Sequence, residues 1–132
     1  MTTAKPFFMF QEGRAQAALD LYFATFPDSR MLRVEHWNQG EAGPVGTIKA
    51  AVFTICGSEF MCSDSPIKHD FGFTPSISTF VDLESIAELD RVFGILSEGG
   101  EVLMPLDNYG FSQRFGWVND RFGVSWQLNL AA

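Results

Sequence analysis

The sequence predicts an α+β fold of two βαβββ modules, whose strands form a curved mixed sheet with the helices on its outer surface. Three observations carry this expectation. The pattern strand–helix–strand–strand–strand can be read twice, the second copy starting about seventy residues after the first. Each copy holds one helical stripe of apolar residues and several stretches that alternate apolar and polar. The third is bulk: of 132 residues, 46% are hydrophobic and fourteen are phenylalanine, large rings that can fill a curved sheet or line a pocket. Neither half alone buries its apolar sheet face well, whereas two together can. A ferredoxin-like βαββαβ arrangement leaves one strand over in each half and ranks second. The chain is thus read as one domain, residues 1–132, with module one at about 5–65, a connector at 66–75 and module two at about 76–132.

Each element has its reason. Phe7 to Gln11 is a short apolar strand, followed by a helix from Arg14 to Phe26 with Ala15, Ala18, Leu19, Tyr22 and Phe26 at helical spacing. Pro27-Asp28 ends that helix. Met31 to Asn38 alternates, with Leu32, Val34 and His36 opposite Arg33, Glu35 and Trp37. Gly40 to Gly46 is a loop; Thr47 to Cys56 and Glu59 to Asp64 are strands folded about Gly57-Ser58. After the connector, Ser76 to Asp82 alternates, with Ile77, Thr79 and Val81 opposite Ser78 and Phe80. Ser85 caps a second helix whose core stripe is Ile86, Leu89, Val92, Phe93 and Leu96, and Gly99-Gly100 stops it. Glu101 to Pro105, Phe111 to Asn119 and Gly123 to Leu130 complete the strands.

Composition excludes some functions. A net charge of −7 with no basic cluster argues against nucleic acid as a partner. No apolar run approaches the length of a membrane span, and the start lacks the pattern of a signal peptide, so a cytoplasmic location without membrane association is expected. Cys56 and Cys62 fit a reducing compartment as small buried hydrophobes; C-x5-C without neighbouring histidines is a poor zinc signature.

The last strand raises the functional question. Val124, Trp126, Leu128 and Leu130 alternate with Ser125, Gln127 and Asn129, a polar row without a single charge. Together with "PFFMFQ", "AALDLYFATF", "GSEFMCSDSP" and "GFSQRFGWVNDRFGVSWQLNL", this ending resembles the vicinal oxygen chelate superfamily (glyoxalase, bleomycin resistance and extradiol dioxygenase proteins), and more closely its PhnB-like branch. The resemblance implies a glyoxalase-like fold and a homodimer. It also implies a divalent metal held by His and Glu near the first and last strands of each module. The positions here offer Lys5, Pro6 or Phe7, then Cys62, Ser76 and Gln127, the last where metal-dependent relatives place Glu. None is His, Asp or Glu, so no metal at the usual site is expected. Asp64, His69 and Asp70 are the remaining metal candidates and read more simply as a surface loop.

The branch is sometimes labelled 3-demethylubiquinone methyltransferase-like. Methyl transfer from S-adenosylmethionine calls for a glycine-rich turn, and neither Phe10-Gln11-Glu12-Gly13 nor Val81-Asp82-Leu83 has G-x-G spacing, so no cofactor is expected. The expected ligand is a small apolar or aromatic molecule on the concave sheet, lined by Phe8, Phe10, Trp37, Cys62, Ser76, Ser78, Trp117, Ser125, Gln127 and Asn129. The alternative is a metabolic enzyme with a relocated metal or a metal-free acid/base site, for which His36, Cys62 and Asp64 are weak candidates. Arg114 could hold an anion but reads better as a partner of Asp107 or Asp120.

Overall fold

Most stretches that alternate apolar and polar residues form strands, and the two helical stripes form the two long helices. In the computed structural model, which describes residues 1–132, the chain divides into two units, Met1–Asp70 and Phe71–Ala132. Unit one contains β1 (Phe7–Phe10), α1 (Ala15–Thr25), β2 (Met31–His36), β3 (Ile48–Ile55) and β4 (Ser58–Asp64). Unit two contains β5 (Thr79–Leu83), α2 (Ile86–Ser97), β6 (Glu101–Asp107), β7 (Phe115–Asn119) and β8 (Ser125–Leu130). Each unit is a four-stranded mixed sheet, ordered β1-β4-β3-β2 and β5-β8-β7-β6. The first strand pairs parallel with the last, and the other pairs are antiparallel. This is the α+β, glyoxalase-like pair of modules that the sequence predicts. No helix is long and apolar enough to cross a membrane.

Each helix covers one face of its own sheet. Ala15, Ala18, Leu19 and Tyr22 of α1 are fully buried, the alanines allowing close approach to the strands. The Phe23 ring of α1 meets Phe53 of β3, which identifies the covered face. In unit two, Leu89, Val92 and Leu96 of α2 are buried, and Ser85 Oγ accepts from Glu88 N–H at 3.1 Å as a helix cap. Ile86 lies outside the core stripe, 52% exposed, because it opens the helix beyond the edge of the packed face. On the sheet side Gly116 makes room for the Phe93 ring: a Cβ there would lie 2.6 Å from it.

Of the strands that begin later than their sequence patterns suggest, β5 and β7 are displaced most. Thr74 and Ser76 pair through their hydroxyls at 2.6 Å in the connector, so β5 starts at Thr79 and Ile77 is exposed instead of facing the core. Ser112 Oγ donates to Arg114 O at 3.0 Å, a local side-chain turn that delays β7 to Phe115.

Candidate functional site

Strand register decides which residues can line an open face, because directly paired residues project to the same side. In unit one Phe8 pairs with Cys62 and Phe10 with Asp64, while Cys62 pairs across to Ala51 and Phe60 to Phe53. Phe53 marks the α1 side, so Phe8, Phe10 and Cys62 belong to the helix-covered core rather than to a ligand wall. Phe8 packs its ring on Phe60 at 5.5 Å, and Phe10 and Cys62 are almost wholly buried. The uncovered face of this sheet carries Phe7 and Met9 of β1, Met61 and Ser63 of β4, and Val52 and Thr54 of β3.

The three acid/base candidates occupy different environments. Burial, with a smaller contribution from the Asp64 charge, pushes the Cys62 thiol up to about 12, so it is a neutral thiol and no nucleophile at physiological pH. The buried Asp64 carboxylate accepts from Ala15 N–H at 2.9 Å and Ile48 N–H at 2.8 Å, tying the start of α1 to β3 and β4. It acts as the helix cap that Arg14 does not supply. His36 is exposed at the end of β2. Trp37 is fixed by loop packing: its Nε1–H donates to Asp64 O at 3.1 Å, and its ring lies under the Gly43 backbone and Lys49 Nζ. The connector histidine, His69, shares a hydrogen bond with Ser65 Oγ at 2.9 Å. Nowhere do three His, Cys, Asp or Glu side chains come together. Cys56 is exposed at the β3–β4 turn, not buried, because the turn there takes it to φ 51°.

Unit two brings a polar group together on the face turned away from α2. Gly116, against Phe93, marks the α2 side together with its partner Leu128, so Trp117, Gln127 and Phe80 lie opposite. There Trp117 Nε1–H donates to Ser125 Oγ at 2.8 Å, Ser125 Oγ to Ser78 Oγ at 3.2 Å, and Gln127 Nε2–H to Ser78 Oγ at 3.1 Å. Ser125 is buried, whereas Ser78, Trp117 and Gln127 are half-buried. Asn129 lies one pair further along the strand and donates to Asp82 Oδ1 at 2.9 Å. Ser76 stands apart in the exposed connector, tied to Thr74. Arg114 is spent on Asp90 of α2 at 2.7 Å, and not on Asp107 or Asp120.

Sequence reasoning missed the aromatic part of this face. Phe80 is the register partner of Gln127, is 52% exposed, and stacks on Phe115 at 6.2 Å between ring centres. Phe111 and Tyr109 meet Phe115 edge-on. The available signal was Phe80 itself, which alternates with the buried Val81 and so had to share the side of Ser78. Cavities also open within the units. One of about 350 Å³ in unit one is bounded by Glu12, Gly13, Pro44, Ile67 and Lys68, and one of about 340 Å³ in unit two by Phe111, Gln113, Asn129 and the terminal alanines.

Paired βαβββ units of this topology define the vicinal oxygen chelate fold. The family model described as 3-demethylubiquinone-9 3-methyltransferase matches residues 2–129, and the chain belongs to this PhnB-like family. It is 43% identical to a PhnB protein from Bacillus cereus, provisionally designated 3-demethylubiquinone-9 3-methyltransferase. The TM-score is 0.94, with 98% of this chain and 100% of that one covered. It is 27% identical to YjdN of Escherichia coli strain K12 over 116 residues, which are 88% of this chain and 78% of YjdN. The fosfomycin resistance protein FosX from Mesorhizobium loti shares the fold at 13% identity, with a TM-score of 0.66 over 99% of this chain and 92% of that one.

Proposed function

We infer that the protein binds a small, neutral, aromatic molecule on the uncovered face of the β5-β8-β7-β6 sheet. One observation carries this reading: an uncharged hydrogen-bonded group (Trp117, Ser125, Ser78, Gln127) lies beside the half-exposed ring of Phe80. Apolar area with a few converging polar groups is the usual make-up of a small-molecule site. A charged ligand finds no counter-ion among these four side chains.

The donor chemistry supports binding without the metal that the fold family implies. Met61, Ser63 and Gln127 on the uncovered faces are weak ligands for a divalent ion; of the carboxylates there, Glu59 pairs with Lys5 and Asp82 accepts from Asn129, and Asp64 is held by two backbone N–H groups on the other side. S-adenosylmethionine, implied by the family's designation, does not fit the strand-to-helix junctions either. The first is closed by Asp64 on Ala15 N–H and the second by Ser85 on Glu88 N–H, and neither presents a glycine-rich cradle.

Titration calorimetry with naphthol and with the anion naphthoate tests the reading. Naphthol is expected to bind, naphthoate to bind at least tenfold more weakly, and Phe80→Ala to weaken naphthol about tenfold, the scale of one buried ring contact. Equal affinity for the two probes, or no heat from either, refutes it.

A further inference from the structure

The protons in the Trp117–Ser125–Ser78–Gln127 group can be counted, and the count specifies what the ligand must carry. Trp117 has only a donor, so Ser125 Oγ must accept from it at 2.8 Å. Ser125 is 3% exposed, and the only acceptor near its own hydroxyl hydrogen is Ser78 Oγ at 3.2 Å. A buried hydroxyl left without an acceptor is costly, so burial sets the direction of this bond, from Ser125 to Ser78. Ser78 also accepts from Gln127 Nε2 at 3.1 Å. Both lone pairs of Ser78 are then used, and its hydrogen has no acceptor within the protein. The Gln127 carbonyl oxygen likewise has no donor. Both residues are half-buried, so this free donor and free acceptor are accessible to water or to a bound molecule instead of closing on the protein.

We propose that Ser78 Oγ–H and Gln127 Oε1 form a paired donor–acceptor edge that recognises a secondary amide set in a planar ring, a lactam or imide. The ligand carbonyl accepts from Ser78, its N–H donates to Gln127, and its ring lies on Phe80, the register partner of Gln127. This rests on the binding reading above and narrows its ligand class. The network acts as a relay of fixed polarity: with the indole N–H donating to Ser125, and burial obliging Ser125 to donate in turn, the Ser78 hydroxyl at the other end is left to donate outward.

The test is calorimetry with carbostyril (a bicyclic aromatic lactam), N-methylcarbostyril and naphthalene, on the full chain. Carbostyril is expected to bind five- to tenfold more tightly than its N-methyl derivative, the scale of one net hydrogen bond. Ser78→Ala and Gln127→Leu should each reduce that ratio toward one, while Ser78→Thr, which keeps the hydroxyl, preserves it. Thermal melts of each variant confirm that it is folded. If the N-methyl derivative binds as well as carbostyril while naphthol still binds, the Gln127 amide presents only its N–H groups and the paired edge is refuted alone. If naphthol also fails to bind, the binding reading falls with it.

Discussion

Replacing Asp64 separates a structural carboxylate from a catalytic one. Its two oxygens accept from Ala15 N–H and Ile48 N–H at 2.9 and 2.8 Å, and the residue is 2% exposed. In Asp64→Asn one oxygen remains, but the amide NH₂ faces the other backbone N–H, donor against donor. Losing one hydrogen bond to a charged acceptor costs about 1.5–3 kcal/mol. The lost negative charge at the start of α1 adds a few tenths through the helix dipole, on the order of 0.3–1 kcal/mol. The Asn variant should therefore lose about 2–4 kcal/mol. Asp64→Ala leaves both N–H groups unpaired at about 1–3 kcal/mol each, so it should lose about 2–6 kcal/mol. For a chain of this length that corresponds to a fall in Tm of roughly 6–12 °C for Asn, at about 3 °C per kcal/mol. Urea denaturation followed by circular dichroism measures the loss, with an unchanged dependence on urea as the sign that the same structure unfolds. An Asn variant within about 0.5 kcal/mol of the parent, the usual range for surface changes, would refute the assignment. It would return Asp64 to the list of candidate catalytic groups.

Three further outcomes follow from buried features. The native protein should react with a disulfide reagent at pH 8 through Cys56 alone, Cys62 becoming reactive only on unfolding; two rapidly reacting thiols in the folded state would contradict the burial. Burial raises the Cys62 thiol from 9.0 to about 12, so folding favours its neutral form. That contribution is complete below pH 9 and lost as pH rises toward 12, and Cys62→Ala should flatten this part of the stability profile measured by urea titration. Gly116→Val should destabilise by about 1–3 kcal/mol, since its Cβ would meet the Phe93 ring at 2.6 Å and Leu106 at 3.0 Å. A thermal melt within one degree of the parent would show that α2 shifts at no cost.

What could be read from the sequence follows the physics of periodicity. The order of elements and both helix stripes were legible, because a period of two or of 3.6 survives without knowledge of partners. On β8 the faces were legible too. Ser125 and Gln127 alternate with Trp126 and Leu128, and the polar residues do share a side. On β1 and β4 they were not. "FFMF" is apolar at every position, so nothing in it says that Phe8 and Phe10 face α1 while Phe7 and Met9 face away. Cys62 inherited that ambiguity, being small enough to suit either side.

Asp64 was illegible for a different reason. The groups that need it, Ala15 N–H and Ile48 N–H, are 49 and 16 residues away, and only β-sheet register brings them together. The same distinction bears on function. The side on which Gln127 lies was legible from alternation alone, but its hydrogen bonding depends on Ser78, which lies 49 residues earlier and just outside β5. A lone glutamine on a strand can donate or accept toward a ligand. Once Ser78 takes one of its N–H groups, and Ser125 and Trp117 fix which way Ser78 donates, the remaining edge has one polarity and one complement. Long-range register thus converts an uncharged row of side chains into a hydrogen-bonded group of defined polarity.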